Sequence, residues 1–344
     1  MTQRAGTTPT DVAQLLRQHL PQHVLAGFMR YQKISTLGHG GKAEVFLCRD
    51  VTLGREVAVK VLRPELLASA LEQQMLVREA RIMAALSHPG IPKIHDLGRD
   101  FEGRPYFAMS HIAGRTLRDI LDSASEERDR TRQQFELQRR LGILIETAEI
   151  LFQAHSLNVV HCDLKPENIL IGLRESVHVI DWGLATVLND SQPANDELAF
   201  TTERGRQGSP LYMSPEQVAH VLPLDQGTDI YSLGVLLYEC LTFDTPCRGD
   251  VAEETFANIV GTAPIPPRDF DLDQLITAEL ERVCLKAIEK RPEDRYANMA
   301  EFATDLRNCQ LDLLISYESE ALCEHGSIGA GQSHFRDERL LAYI

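Results

Sequence analysis

The sequence shows no paired-cysteine spacing and no excess of positive charge. Its 7 cysteines include no CxxC pair, so neither a zinc site nor a disulfide framework is expected, and reduced thiols in a cytoplasmic compartment are the plain interpretation. The formal net charge is -15, which would repel nucleic acid and anionic membrane surfaces. We therefore expect no nucleic-acid partner.

The sequence also lacks an export signal and a long apolar run. Residues 1–10 are polar and contain no apolar core of signal-peptide length. The most apolar run, residues 233–241, is interrupted by Glu239 and is too short to cross a bilayer. These features predict a cytoplasmic protein without a membrane segment.

The apolar residues that are present suffice for a two-lobed globular protein. The chain has 344 residues, of which 43% are hydrophobic. Residues 31–37, 44–49 and 55–62 are short β-rich runs, which predict three antiparallel strands. The second half shows helical periodicity, with predicted helices at 141–155 and 229–241. Residues 122–140 are densely charged and are expected to form a solvated loop or a helix end.

Residues 161–170 (HCDLKPENIL) bring a carboxylate, an ammonium and an amide into six positions. Asp163, Lys165 and Asn168 can converge on one reacting phosphate. A predicted hairpin follows and delivers Asp181 to the same site. Two acids and an amide suit a hard cation such as Mg²⁺, with one acid left to position a hydroxyl nucleophile.

A lysine and a glutamate upstream are expected to form a buried pair. Period-two alternation in residues 55–62 places Lys60 and Ala58 on one strand face. Glu79 lies on the apolar stripe of a helix predicted at 66–86. A lysine can extend to solvent, but an unpaired buried carboxylate costs several kcal/mol, so we expect Lys60 to be the partner of Glu79.

The motifs of this sequence, taken in their order along residues 30–311, resemble the signature set of protein kinases. The resemblance rests on the glycine-rich turn at 38–45, Lys60, Glu79, the 161–168 loop, Asp181-Trp-Gly, Ser214-Pro-Glu216, Asp229 and Arg295. The lysine of the loop and residues 208–216 resemble the serine/threonine branch. The sequences of the glycine-rich turn and of residues 212–217 are most similar to those of the eukaryotic-like kinases of bacteria.

The resemblance implies an α+β, two-lobed protein-kinase-like fold. A small N-lobe at 29–112 would hold an antiparallel sheet plus one helix, and a larger, mainly helical C-lobe would span 113–312. Residues 1–28 would form an N-terminal extension, with an amphipathic helical stretch at 11–20, and 313–344 a polar C-terminal tail. The sequence gives no signal for the oligomeric state.

The resemblance also implies roles for single residues in transferring the γ-phosphoryl group of Mg-ATP to a protein Ser or Thr hydroxyl. Asp163 would orient the hydroxyl and Lys165 would contact the transferred group. Asn168 and Asp181 would hold Mg²⁺, with Mn²⁺ as a substitute. The implied nucleotide-binding residues are Gly38, Gly40, Gly41, Val45, Ala58, Lys60, Glu79, Met109, Ile112 and Leu170.

Three positions depart from the family pattern. Ala43 replaces a glycine of the phosphate loop, which a negative φ would accommodate. Trp182 replaces the usual residue of the metal-binding triplet and keeps its apolar bulk. Cys162 replaces the arginine that commonly receives an activation-segment phosphate. We therefore expect activity to depend little on phosphates at Thr201 or Thr202.

Two other functions stay open at this point. A pseudokinase scaffold usually lacks the lysine, the catalytic aspartate or the metal aspartate, and this sequence keeps Lys60, Asp163 and Asp181. A small-molecule phosphotransferase of the aminoglycoside-kinase type has a similar loop. That type more often has a histidine where Lys165 stands, and the segment that ends at Glu216 suits a docked peptide better.

Overall fold

The computed structural model describes residues 27–124, 130–188, 209–220, 224–271 and 275–326. Its first lobe is a five-stranded antiparallel sheet in the order β1-β2-β3-β5-β4. The strands are β1 (Tyr31–His39), β2 (Ala43–Asp50), β3 (Arg55–Leu62), β4 (Ile94–Arg99) and β5 (Pro105–Ser110). The three predicted β-rich runs are confirmed as β1, β2 and β3.

The third strand is buried on both faces, and the alternation assigns its residues correctly. Val57, Val59 and Val61 form an apolar cluster with Tyr31 and Tyr106 on one side of the sheet. On the other side, Leu62 joins the main core. Lys60 lies between Ala58 and Leu62 on this second face, so its amine is directed toward the helix that covers the sheet.

That helix, α1 (Ala70–Leu86), is the only α-helix of the sheet lobe among the described residues. It begins at Ser69, whose side chain accepts a hydrogen bond from the Glu72 amide, and it ends at Ser87 in the left-handed region. Its buried stripe includes Met75, Met83 and Glu79, as the periodicity predicts. A carboxylate therefore lies in the interface between helix and sheet.

The second lobe is mainly helical. Its helices are α2 (Leu117–Ala124), α3 (Arg130–Ser156), α4 (Pro215–Val218), α5 (Gly227–Thr242), α6 (Ala252–Gly261), α7 (Ala278–Ala287) and α8 (Met299–Gly326). Short strands β6 (Gly114–Thr116), β8 (Ile169–Gly172) and β9 (Val177–Val179) form one small sheet, and β7 (Val159–Val160) pairs with β10 (Thr186–Val187). Helix α5 is buried over almost its whole length and contacts α3 and α7. The predicted α+β, two-lobed architecture is confirmed.

The interpretation of residues 122–140 as a solvated loop or helix end is wrong for its second half. Residues 130–140 form the first three turns of α3, and Leu137 and Arg140 are buried. The Arg140 guanidinium donates to the Cys240 carbonyl (3.1 Å) and lies over the Phe243 ring (5.0 Å to the centroid). Because α5 ends next to this arginine, a cation there satisfies a helix carbonyl. Charge density alone could not reveal this partner.

The expected start of a polar tail at residue 313 lies inside α8. Leu306, Cys309 and Leu313 continue one buried stripe of this helix, and only 1% of Leu313 is exposed. Helix α8 lies against α3, where Gln138 and Gln310 each donate a side-chain hydrogen bond to the other's backbone carbonyl (3.3 and 3.0 Å). The amphipathic stretch at 11–20 and residues 327–344 lie outside the described residues.

No helix within the described ranges combines the length and apolarity needed to cross a membrane.

The close contact between α5 and α7 gives a test of core packing. A Cβ added at Gly234 would lie 2.7 Å from the Ala287 Cβ and 2.8 Å from the Ile288 Cγ2. Overpacking of about 1–3 kcal/mol outweighs the gain in helix propensity of about 1 kcal/mol, so Gly234→Ala should lower the free energy of unfolding. Urea unfolding measures it.

The matched control is Gly261→Ala at the end of α6, where an added Cβ meets nothing within 4 Å. This variant should keep or slightly raise the urea midpoint. Equal effects of the two substitutions would contradict the packing argument.

Candidate active site

The loop between β7 and β8 is held by one buried carboxylate. Asp229, in the first turn of α5, accepts hydrogen bonds from the backbone amides of His161 (2.8 Å) and Cys162 (2.9 Å) and from His155 Nε2 (2.8 Å). Cys162 has a φ of 66°. Two adjacent amides directed at one carboxylate require this turn, so Asp229 stabilises a backbone conformation that is unfavourable for a non-glycine residue.

The turn brings the predicted catalytic residues together. Asp163 Oδ1 accepts the Ser209 backbone N–H (3.0 Å), and Oδ2 lies 3.3 Å from Lys165 Nζ. The Asn168 side-chain amide donates to the Asp163 carbonyl (2.8 Å). The Asp163 N–H donates to His161 Nδ1 (3.3 Å). Asp163, Lys165 and Asn168 therefore form one cluster, and Ser209 reaches it through its backbone rather than its hydroxyl.

Lys60 joins both lobes at this site. Its amine donates to both oxygens of Glu79 (2.7 and 2.9 Å) and to Asp181 Oδ1 (2.8 Å). The expected pairing with Glu79 is present, and Asp181 completes a triad. Asp181 has a φ of 61°, so a strained backbone positions this carboxylate.

The electrostatics of the triad favour the charged forms of Lys60 and Asp181. Burial opposes the charge of Lys60, but the two carboxylates outweigh burial and raise its pKa. The Lys60 ammonium is the main cause that lowers the pKa of Asp181. Burial raises the pKa of Glu79, and the ammonium partly offsets this. Asp181 is thus a carboxylate at neutral pH, with 44% of its side chain exposed.

Asp181 and Asn168 are suitable ligands for a hard cation. The Asn168 Nδ2 is engaged by the Asp163 carbonyl, which leaves its Oδ1 as an acceptor. The backbone connects the two residues, because the Ile180 N–H donates to the Asn168 carbonyl (2.9 Å). A carboxylate oxygen and an amide oxygen are ligands that Mg²⁺ prefers.

Val45, Ala58 and Met109, which are predicted to contact the nucleotide, lie on neighbouring strands of the sheet lobe. Ala58 is paired with Met109 across β3 and β5, and Val45 with Lys60 across β2 and β3. Leu170 in β8 is paired with Thr116 of β6, and Ile112 lies beside Gly172 at the end of β8.

The glycine-rich turn joins β1 and β2. Gly38 lies at the end of β1, paired with Val45, and the Gly40 N–H donates to the Ala43 carbonyl (2.9 Å). An added Cβ at Gly38 or Gly41 would meet nothing within 4 Å, so the backbone is open to close approach there. Ala43 does not have a positive φ, so its methyl group is accommodated without strain.

The segment that ends at Glu216 is anchored from two sides. Both Glu216 oxygens accept from Arg295 (2.8 and 2.8 Å), which also donates to the carbonyls of Gly227, Glu289 and Lys290. Ser214 and Gln217 form a capping box at α4. The Gln217 side chain donates to the Cys162 carbonyl (2.8 Å). The segment is thereby tied to the catalytic loop.

Cys162 does not create a cationic position. It is buried in an apolar cluster with Val160 and Leu224, against which Leu184 and Leu188 pack. Burial is the main cause that raises the pKa of its thiol, so the sulfur is neutral. Thr201 and Thr202 lie outside the described residues.

Sequence reasoning missed a second charged cluster beside the catalytic loop. Arg118 of α2 contacts Glu239, Tyr212 and Glu167, which belong to three separate segments. Position 118 falls in a polar stretch, and position 239 interrupts an apolar run. The sequence did contain one signal of this cluster, namely Glu239 within an apolar helix, because a buried carboxylate requires a cationic partner.

Two lobes with a lysine-carboxylate triad between them and an aspartate-lysine-asparagine loop below define a protein kinase domain. The comparisons agree, since residues 31–306 match the protein kinase domain. The chain belongs to the protein kinase family.

Its curated relatives are bacterial. The chain is 36% identical to serine/threonine-protein kinase PknB of Mycolicibacterium smegmatis over 289 residues, covering 83% of this chain and 43% of that protein. It is 36% identical to PknB of Mycobacterium leprae over 280 residues (80% and 42%). A probable serine/threonine-protein kinase of Streptomyces coelicolor is 36% identical over 284 residues (81% and 40%). The chain thus spans less than half the length of these relatives.

The Glu216–Arg295 pair predicts a pH-dependent contribution to stability. Burial alone would raise the pKa of Glu216, but the Arg295 guanidinium outweighs burial and lowers it from 4.5. Such a depressed pKa contributes stability above the ordinary pKa, and this contribution is lost as pH falls through the folded one. Glu216→Gln should therefore cost about 3 kcal/mol at pH 7. Below pH 4.5 this cost should shrink.

Urea unfolding of both proteins between pH 7 and pH 4 measures the difference. Glu253→Gln, at an exposed position in the first turn of α6, is the control and should be nearly neutral throughout. A cost for Glu216→Gln that stays constant down to pH 4 would exclude the ion pair as its origin.

Proposed function

We propose that this domain is an active serine/threonine protein kinase, which transfers the γ-phosphoryl group of Mg-ATP to a protein Ser or Thr hydroxyl. The observation that carries the proposal is the Lys60 amine bound to Glu79 and Asp181 at once (2.7 to 2.9 Å). In protein kinases, the lysine–glutamate pair and the metal-binding aspartate must both be in place for transfer.

Three residues of the second lobe have separate roles at the substrate hydroxyl. Asp163 is the base that orients the substrate hydroxyl and accepts its proton, because it is ionisable and bonded to neighbours that fix its direction. Lys165, 3.3 Å from Asp163, supplies a mobile positive charge for the transferred group. Asn168 fixes the loop through its bond to the Asp163 carbonyl.

Asp181 and Asn168 would hold the divalent cation, Mg²⁺ with Mn²⁺ as a substitute. When bound, the cation neutralises phosphate charge and aligns the nucleotide. Lys60 would bind the α- and β-phosphates. The turn that contains Gly38, Gly40 and Gly41 lacks side chains at these positions, so its backbone would approach the phosphate oxygens closely. Val45, Ala58, Met109, Ile112 and Leu170 would enclose the adenine.

The proposed partners are proteins that present Ser or Thr. Support comes from the anchored segment before Glu216, which leads from Ser209 at the catalytic aspartate to α4 and so offers a fixed surface beside Asp163. Six of the cysteines are buried free thiols, namely Cys48, Cys162, Cys240, Cys247, Cys284 and Cys309. They support the proposal of a reducing, cytoplasmic setting.

Asp163→Asn tests the proposed reaction. The amide keeps the shape of the side chain but cannot accept the hydroxyl proton, so kcat should fall by about 10²–10⁴-fold. Transfer of radiolabelled phosphate from ATP to a generic protein substrate, with Mg²⁺ or Mn²⁺, measures the loss. Asp312→Asn, on an exposed turn of α8, is the control and should retain full activity.

Two results would contradict the proposal. Absence of transfer by the unsubstituted protein with either cation, while it still binds ATP, would favour a pseudokinase scaffold. Phosphorylation of an aminoglycoside or a choline-like compound, but of no protein, would favour a small-molecule phosphotransferase.

The apolar surroundings of Cys162 predict weak dependence on activation-segment phosphate. A phosphate needs a cation for a charge-assisted hydrogen bond, and position 162 has none. The double variant Thr201→Ala/Thr202→Ala should keep its activity within about twofold, and phosphatase treatment of the unsubstituted protein should have as little effect. Strict dependence on a phosphate at Thr201 or Thr202 would refute this prediction.

A further inference from the structure

A charged cluster that the proposed reaction does not use lies beside the catalytic loop. Arg118, in the first turn of α2, donates to the Tyr212 hydroxyl (2.7 Å) and pairs with Glu239 (2.8 Å) and Glu167 (3.3 Å). The Tyr212 hydroxyl in turn donates to Glu239 (2.8 Å). One guanidinium thus joins four parts of the second lobe.

The cluster borders the hydroxyl site from two directions. Glu167 lies in the helical turn Pro166–Asn168, between Lys165 and Asn168. On the other side, the Tyr212 N–H donates to the Ser209 carbonyl (3.0 Å), and the Ser209 N–H donates to Asp163. The cluster therefore adjoins the position that a substrate hydroxyl would occupy at Asp163.

The acids of the cluster form an anionic pocket that Arg118 fills. Glu239 is 3% exposed, so without a cation it would be a buried, uncompensated carboxylate. Burial opposes the charge of Arg118, but Tyr212 and Glu239 outweigh burial and raise its pKa. Burial also raises the pKa of Tyr212, with Glu239 adding to this, so the phenol stays protonated and donates.

The pocket is also open to solvent. Side-chain exposure is 29% for Arg118 and 49% for Glu167. A cationic side chain from outside could therefore reach the place that the Arg118 guanidinium occupies.

We propose that Arg118 is a specificity-determining residue, which fills with the chain's own guanidinium an anionic pocket that would otherwise accept a Lys or Arg of the substrate. The native enzyme consequently does not select a basic side chain at this position. This proposal rests on the proposed protein kinase function and names a feature of its substrate class, namely Ser/Thr peptides without a required basic residue at this pocket.

The experiment compares peptide preferences. A library of Ser/Thr peptides with Arg, Lys or Ala placed at each flanking position in turn is phosphorylated by the unsubstituted enzyme, by Arg118→Ala and by Arg118→Lys. The double variant Arg118→Ala/Glu239→Gln also removes the buried charge and so protects against a folding failure. Arg139→Ala is the matched control, because Arg139 is 24% exposed and pairs with Glu175 and Glu136 away from the catalytic loop. Thermal unfolding of every variant accompanies the kinetics.

Arg118→Ala should gain a preference of about tenfold or more in kcat/KM for peptides with Arg over Ala at one flanking position. Millimolar guanidinium, well below denaturing concentrations, should raise its activity on the alanine peptide. Arg118→Lys, the double variant and Arg139→Ala should all keep the native preference. A structural ion pair alone would change the unfolding temperature of Arg118→Ala without this positional gain.

Two outcomes would overturn the inference. One is a native enzyme that already prefers Arg at this position. The other is an Arg118→Ala variant that folds but has the same peptide preferences as the native enzyme. If Arg118→Ala does not fold, the double variant takes its place, and a preference of the folded double variant for basic peptides would overturn the inference. Absence of peptide phosphorylation by the native enzyme would instead refute the proposed function, so the two failures are distinguishable.

Discussion

The catalytic loop depends on the buried carboxylate of Asp229. A fully buried acid without compensation would be costly, and this one is compensated by two backbone amides and His155. These bonds fix Cys162 in the left-handed region and thereby set the direction in which Asp163 leaves the loop. Because α5 is buried over almost its whole length, the position of Asp163 is fixed by the core of the second lobe.

Local sequence chemistry was enough to predict the elements that build the site. Strand β3 has the predicted bounds, since alternation reports directly on a two-faced strand. The lysine–glutamate pairing could be inferred because a glutamate on an apolar stripe is buried, and a buried carboxylate needs a nearby cation. The catalytic cluster could be predicted because its members lie within six residues. In each case the determining partner was close in sequence or was required by charge.

The errors share a different origin. The first turns of α3 were interpreted as solvated because the stretch is rich in charge, yet Arg140 satisfies a carbonyl 100 residues away. Arg118 was not identified from the sequence, because its partners Glu167 and Glu239 lie 49 and 121 residues further along the chain. An inference from composition alone assigns a charged residue to the surface. Whether it is buried depends on tertiary partners that periodicity does not describe.

The contacts of Cys162 hold the 161–168 loop through its backbone and through apolar packing. In the described part of the chain, its carbonyl receives the Gln217 amide, its N–H binds Asp229, and its side chain packs among apolar residues. Gln217 adjoins Glu216, which Arg295 fixes from the far side of the lobe. The end of the activation segment is therefore coupled to the catalytic loop by neutral hydrogen bonds, apolar contact and one permanent ion pair. These contacts support the proposal that activity depends little on phosphates at Thr201 or Thr202.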